Sequence, residues 1–148
     1  MFVLLFILIT LVMLLLIINF IQSKLYAIFR HDIANDVQLI KGYLILNKRK
    51  LTDESIINIQ EKLKTFTNVN NSSFIFQLLF LFLYSEVQKK ASCFDIFVNA
   101  QMKNYNLSMF KSLLRAIIYI RKLRFNKIEI DIDKDLVEIF YDGYSKSF

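Results

Sequence analysis

The chain has 148 residues and a net charge of +6; 55% of its residues are hydrophobic and 22% charged, which excludes a disordered chain. There are only two glycines, Gly42 and Gly143, and no proline or tryptophan, so the clustered glycines of a P-loop, a dinucleotide fingerprint or a kinase Gly-rich loop are missing. One cysteine and one histidine exclude a zinc cluster and a disulfide framework.

Met1 to Ile21 carries no charge, and Thr10 and Asn19 are its only polar residues. About 20 apolar residues suffice for one transmembrane helix. A cleaved signal peptide would need a basic stretch before the run and small residues at its end. Neither is present, since Gln22 and Ser23 follow large side chains. The first cations are Lys24, Arg30, Lys41 and the Lys48-Arg49-Lys50 cluster. Cationic flanks stay on the cytoplasmic side. The expected topology is a single-pass anchor in the cell membrane, N-terminus outside and C-terminal body in the cytoplasm. A reducing cytoplasm suits the lone Cys93, expected as a small buried apolar residue. The positive charges are spread along the chain and favour the membrane-proximal part and one later helix, so a membrane-facing basic surface is expected and a nucleic-acid partner is not.

From Ser23 to about Asn47 the pattern is helical, and nothing separates it from the apolar run. At 100° per residue, Tyr26, Phe29, Ile33, Val37, Ile40 and Leu44 form one seam within roughly 80°. Asn47 to Lys50 reads as a polar turn, and Thr52-Asp53-Glu54-Ser55 as the capped start of a second helix. That helix carries Ile56, Ile57, Ile59, Leu63 and Phe66, and ends at the polar break Thr67 to Ser73. Two such helices make an antiparallel hairpin that encloses no core alone, and a homodimer giving a four-helix bundle is the economical solution.

Phe74 to about Lys90 predicts a third helix, too short in its apolar run to span a bilayer. Phe94 to Val98 reads as a strand. Leu107 to Leu123 reads as a fourth helix with Met109, Leu113, Leu114, Ile117, Ile118 and Ile120 as core. Lys127 to Ile132 and Leu136 to Tyr141 alternate as a β-hairpin around Asp133-Lys134-Asp135. The expected fold is mainly α, of the α+β type: an anchor (1–22), a helical hairpin (23–68) and a small mixed unit (73–148).

His31 lies opposite the apolar seam. Lys24, Asn35, Gln38 and Gly42 fall within about 40° of it, making a polar stripe on the outside of the hairpin. Asp32 adjoins the imidazole and can orient it. Asn35, one turn on, can hydrogen-bond an incoming group.

Arg30-His31-Asp32-Ile33-Ala34-Asn35-Asp36-Val37-Gln38-Leu39-Ile40-Lys41-Gly42-Tyr43-Leu44 resembles the R-H-D-x-x-N-x-x-Q-x-I-x-G-x-L phosphoacceptor helix. That helix occurs in the sporulation initiation phosphotransferase B family and in related bacterial sensor histidine kinases. The resemblance implies a two-component phosphorelay in which His31 accepts a phosphoryl group from one response-regulator receiver domain and passes it to a second. Asp32 would orient or deprotonate the ring, Asn35 and Gln38 would contact the phosphoryl group or receiver loops, and Lys24 and Lys41 would steer an acidic receiver. Arg30 and Gly42 complete the motif as partner-binding positions. No cofactor is implied for this chain, because Mg²⁺ is expected on the receiver.

After the hairpin the family carries a domain related to the kinase ATPase fold, and 73–148 follows its opening order. The ATP motifs are absent: the fourth helix reads LLRAIIYIRKL where a working kinase has an Asn for magnesium, and Asp142-Gly143 is followed by Tyr144 and Ser145. A terminal turn is the preferred reading there. The resemblance therefore implies a histidine phosphotransferase without ATP binding. The alternative is a non-catalytic relative that regulates or localises a kinase by dimerisation.

Two further patterns read as structure. Asp131 to Asp135 begins like a calcium loop, but Leu136 stands at the sixth position and Asp142 at the twelfth, so a hairpin turn is expected. Lys103, Lys111, Arg115, Arg121, Lys122, Arg124 and Lys127 read as a solvated basic face balanced by the acidic hairpin Glu129 to Asp142.

Overall fold

The computed structural model describes residues 2–102 and 106–148, which leaves Lys103 outside the described residues. It contains four helices and one four-stranded sheet, in the order α1 (Phe2–Ile45), α2 (Arg49–Asn70), α3 (Phe74–Lys90), β1 (Ala91–Val98), α4 (Leu107–Lys122), β2 (Phe125–Ile132), β3 (Val137–Tyr141) and β4 (Tyr144–Ser147). The mainly helical α+β class and the helix order agree with the sequence reading.

α1 is one continuous helix of 44 residues. No proline or glycine interrupts it before Gly42, so the apolar run passes directly into the body. The helix is long and apolar enough to cross a membrane, and its first sixteen described residues, 2–17, are all exposed. It ends where Asn47 takes the left-handed region (φ 53°). Lys48 N then donates to Tyr43 O and Asn47 N to Leu44 O, which satisfies carbonyls the helix leaves open.

α2 starts three residues before the capping pattern suggested. Thr52 lies within the helix, buried, and its hydroxyl donates to Lys48 O. A threonine hydroxyl satisfies itself as well by such a back-bond as by capping, so its presence alone does not set the helix start. At the other end α2 runs to Asn70, through half of the expected polar break. α3 is capped by Ser73, whose side chain accepts from Phe76 N.

The sheet has the order β1-β2-β3-β4, with β1 and β2 parallel around α4 and the remaining pairs antiparallel. β1 is longer than expected, starting at Ala91. β4 was not anticipated: Asp142 and Gly143, both at positive φ (44° and 87°), form a hairpin turn, and the chain returns along β3 instead of ending in a loose turn. Asp133-Lys134-Asp135 is the expected β2–β3 turn, closed by Asp133 N to Leu136 O.

One sheet face carries Ile96, Ile130 and Ile139 in register, then Val98, Ile132 and Val137, all buried. Leu83 and Val87 of α3 and Leu113, Ala116 and Ile120 of α4 belong to the same core. Leu114 and Ile118, expected in the core, are instead exposed. The other face is acidic, with Glu129 beside Asp95 and Asp131 beside Glu138 in register. Burial and mutual repulsion raise the carboxyl pKa of Glu129 and Asp131 above the usual range. The free edge of β1 is covered by α2: Val98 N donates to Thr65 Oγ1 and Asn68 Nδ2 donates to Val98 O.

Two side chains depart from their expected settings. Cys93 is exposed, because it lies near the start of β1 where the core has not yet begun. Arg121 is balanced by Glu86 of α3 (Nε–Oε2 3.1 Å), not by the acidic hairpin. The hydrogen bonds from Arg121 and then Lys89 hold the Glu86 carboxyl below its ordinary value.

Candidate functional site

The polar stripe of α1 exists as a surface. Helical spacing alone sets Lys24, His31, Asn35, Gln38 and Gly42 in line over about 27 Å of axis. Lys24, Arg30, His31, Asn35, Gln38 and Lys41 are exposed. Gly42 is half-buried, and a Cβ built on it meets nothing within 4 Å. Nothing within the chain therefore requires glycine there; its effect is to leave the surface flat beside the stripe.

His31, Asp32 and Asn35 come together at its centre. The imidazole is 75% exposed, with Nδ1 3.5 Å from Asp32 Oδ1 and 3.3 Å from Asn35 Nδ2. Nδ1 donates to Asp32 Oδ1 when it carries the ring proton, which leaves the lone pair on Nε2, and accepts from Asn35 Nδ2 when it does not. Both contacts are longer than a usual hydrogen bond, so they bias the ring without clamping it.

Asp32 is itself held from the other side. The Tyr84 hydroxyl on α3 donates to both carboxylate oxygens, at 3.4 and 3.3 Å. Burial, then the Asp32 charge, raises the Tyr84 pKa far above its ordinary value, so the phenol stays a donor. Tyr84 is fixed by aromatic neighbours: its ring lies 5.1 Å edge-on from Phe94 and 6.5 Å from Phe80, which stacks on Phe29 of α1 at 6.0 Å. α1 is thus flanked by α3 as well as α2, whereas the sequence suggested packing on one side only.

One turn beyond His31, Asp36 is buried on the α2 side of α1. It pairs with Lys62 of α2 at 2.7 Å, and Lys62 lies 3.8 Å from Asp95 of β1. Neither Tyr84 nor the Asp36–Lys62–Asp95 group emerged from the sequence. No local pattern links Tyr84 to a residue 52 positions earlier. An aspartate at about 140° from His31 on the helical wheel is a visible break in an apolar face, and that was the available signal for Asp36.

The apolar seam divides. Phe29 is buried and Ile33 and Ile40 are half-buried, but Tyr26, Val37 and Leu44 are 60%, 52% and 63% exposed. Ile56, Ile57 and Leu63 of α2 are exposed as well. Among the described residues no group of three or more His, Cys, Asp or Glu side chains is placed to hold a metal ion. Compared with known proteins, the chain matches no family model, no curated protein and no solved structure.

Proposed function

We propose that this chain is a membrane-anchored histidine phosphotransferase of a bacterial phosphorelay, which moves a phosphoryl group between response-regulator aspartates through His31 without binding ATP. The observation that carries the reading is the exposed imidazole with Nδ1 turned to a carboxylate and Nε2 left open, set in the R-H-D-x-x-N-x-x-Q stripe. The resemblance to the sporulation initiation phosphotransferase B family supplies the reaction class. The absent glycine loops favour a phosphotransferase over a kinase.

The step needs no base. Nε2 attacks the phosphorus of a receiver's aspartyl phosphate, the N–P bond forms, and the P–O bond to the aspartate breaks. The released carboxylate stays on the receiver, whose Mg²⁺ neutralises the phosphoryl oxygens. His31 then carries a positive ring with its proton still on Nδ1, and the Asp32 carboxylate stabilises that charge. Attack by a second receiver's aspartate breaks the N–P bond and restores the neutral imidazole. Asn35 and Gln38 lie where they meet the phosphoryl oxygens or the receiver's loops. Lys24, Arg30 and Lys41 attract its acidic face. A homodimer through Tyr26, Val37 and Leu44 would cover the exposed half of the seam and give the four-helix bundle. In this reading 73–148 is a degenerate relative of the kinase ATPase domain.

The test mixes the full chain, in lipid nanodiscs, with phosphorylated receivers of its host. Acid-labile phosphate is expected on the wild type and not on His31→Gln. Wild type that takes no label from any of these receivers refutes phosphotransfer. If His31→Gln then retains the wild-type phenotype while a charge at Val37 abolishes it, the chain is the non-catalytic dimerising regulator.

A further inference from the structure

His31 is the only histidine of the chain, and two neighbours make opposite demands on its ring. Asp32 Oδ1 lies 3.5 Å from Nδ1 and can only accept, which favours a proton on Nδ1 and an open Nε2. Asn35 Nδ2 lies 3.3 Å from the same atom and donates, which favours a bare Nδ1 and puts the neutral ring's proton on Nε2. Both distances are long, so neither neighbour wins by proximity, and the outcome turns on where the Asp32 carboxylate is held. Among the described residues Asp32 forms no ion pair with a lysine or arginine. Besides His31, its partner is the Tyr84 hydroxyl of α3, 3.4 Å from Oδ1 and 3.3 Å from Oδ2. A free aspartate side chain samples several rotamers. The hydroxyl lies almost equally far from both oxygens and selects the one rotamer that turns Oδ1 toward Nδ1.

Tyr84 is rigid enough to do this. Its ring packs edge-on against Phe94 of β1 and beside Phe80, which stacks on Phe29 of α1, so the hydroxyl is carried by a chain of aromatic contacts and not by a loose surface tyrosine. Tyr84, Phe80 and Phe94 all belong to 73–148, so a segment without the ATP motifs still reaches the imidazole of the hairpin. We propose that Tyr84 is a positioning residue for His31: it holds the Asp32 carboxylate against Nδ1 in competition with Asn35, and so keeps Nε2 as the open nitrogen. The 73–148 unit is then the brace that sets the state of the ring. That an open Nε2 serves phosphoryl acceptance rests on the phosphotransfer reading; the hold of Tyr84 on the ring does not.

With one histidine, ring-15N labelling reports this imidazole alone. Full-length wild type, Tyr84→Phe, Asp32→Asn and the double variant are compared by NMR in mild detergent at a pH of about 9, well above the reference imidazole pKa of about 6.5. Tyr84→Phe keeps an aromatic ring against Phe94 and removes only the hydroxyl. The wild-type ring should carry its proton mainly on Nδ1. Tyr84→Phe should move the ratio of the two tautomers toward Nε2–H by about tenfold, the lower end for loss of a hydrogen bond to a charged group. On the Asp32→Asn background Tyr84→Phe should change nothing further, because the hydroxyl acts only through that carboxylate. A wild-type ring protonated mainly on Nε2 overturns the inference, and so does a ratio that Tyr84→Phe leaves unmoved, whether or not His31 takes phosphate. An equal shift on both backgrounds overturns it as well, since that marks a general disturbance of α3 against α1. Labelling by a phosphorylated receiver is read separately and should slow in Tyr84→Phe by a similar factor. A shifted ratio with wild type that takes no label keeps the hold of Tyr84 on the ring and refutes phosphotransfer. A shifted ratio with Tyr84→Phe labelled at the wild-type rate overturns the positioning role in the reaction.

Discussion

Lys62 is the side chain that ties α1 to the rest of the body. Its ammonium meets Asp36 of α1 at 2.7 Å and Asp95 of β1 at 3.8 Å, with side-chain exposures of 17%, 9% and 25% for Lys62, Asp36 and Asp95. Lys62→Met keeps most of the stem and removes the charge, leaving two carboxylates facing each other with no cation between them. Removing one partner of a buried pair costs about 3–5 kcal/mol, and the partial exposure of Asp95 places this case near the lower end, at about 3 kcal/mol. For a chain of this size that corresponds to a fall in Tm of roughly 6–12 °C. The assay is thermal unfolding of the full chain in mild detergent, followed by circular dichroism. Lys64→Met, exposed on the same helix, is the control and should stay within about 0.5 kcal/mol of wild type. Asp36→Asn combined with Lys62→Met should cost less than the two single changes added together, by about 1–2 kcal/mol, because the two groups share one interaction. A Lys62→Met protein that melts with the control refutes the view that this pair fixes α1 against α2.

Three other outcomes are expected. Asp32→Asn should leave unfolding nearly unchanged but slow labelling of His31 by about a hundredfold, the lower range for a group that stabilises charge developing in the reaction; an unchanged rate shows that Asp32 does not act on the ring. Val37→Glu or Leu44→Glu should convert a dimer to a monomer in sedimentation experiments, since each sets a carboxylate in the exposed seam; monomeric wild type removes the bundle. Glu129→Gln should raise Tm at pH 7 and change it little below pH 4. The folded-state pKa of Glu129 is raised above 4.5, mainly by burial, so its charge opposes folding above that raised value and the penalty vanishes as pH falls through it to the unfolded value. A Glu129→Gln protein less stable at pH 7 reverses the sign and refutes the account.

Helices were the legible part of this fold, because each carries a periodic or continuous apolar run bounded by polar turns. α3 begins and ends where its sequence suggested, at Phe74 and Lys90. Boundaries failed where a residue type has two uses. Thr52 satisfies its hydroxyl inside a helix as readily as at its end, and Asp142-Gly143 closes a hairpin as readily as it ends a chain. The exposed residues of the stripe were legible because local spacing on one helix places them. The contacts that complete the site were not: Tyr84 reaches Asp32, and Lys62 reaches Asp36, only through the packing of α2 and α3 on α1.

The same packing limits how the site can work. His31 stands ten residues beyond Ile21 on an unbroken helix, about 15 Å along its axis. With α1 as a span, that height is fixed by a rigid rod, so a soluble partner must reach the imidazole close above the headgroups. Tyr84 and α3 occupy one flank, and the exposed Val37 and Leu44 face another. The open approach is along the helix, over Asn35, Gln38 and the flat surface at Gly42. A side chain added at Gly42 has room within this chain, so Gly42→Leu should fold normally. If the approach is over this surface, Gly42→Leu should weaken labelling of His31 mainly through receiver affinity, raising the receiver concentration for half-maximal rate about tenfold, the effect of roughly 1.4 kcal/mol in docking. Unchanged half-saturation would mean that the receiver does not cross Gly42, and would move the docking face to the side of Arg30.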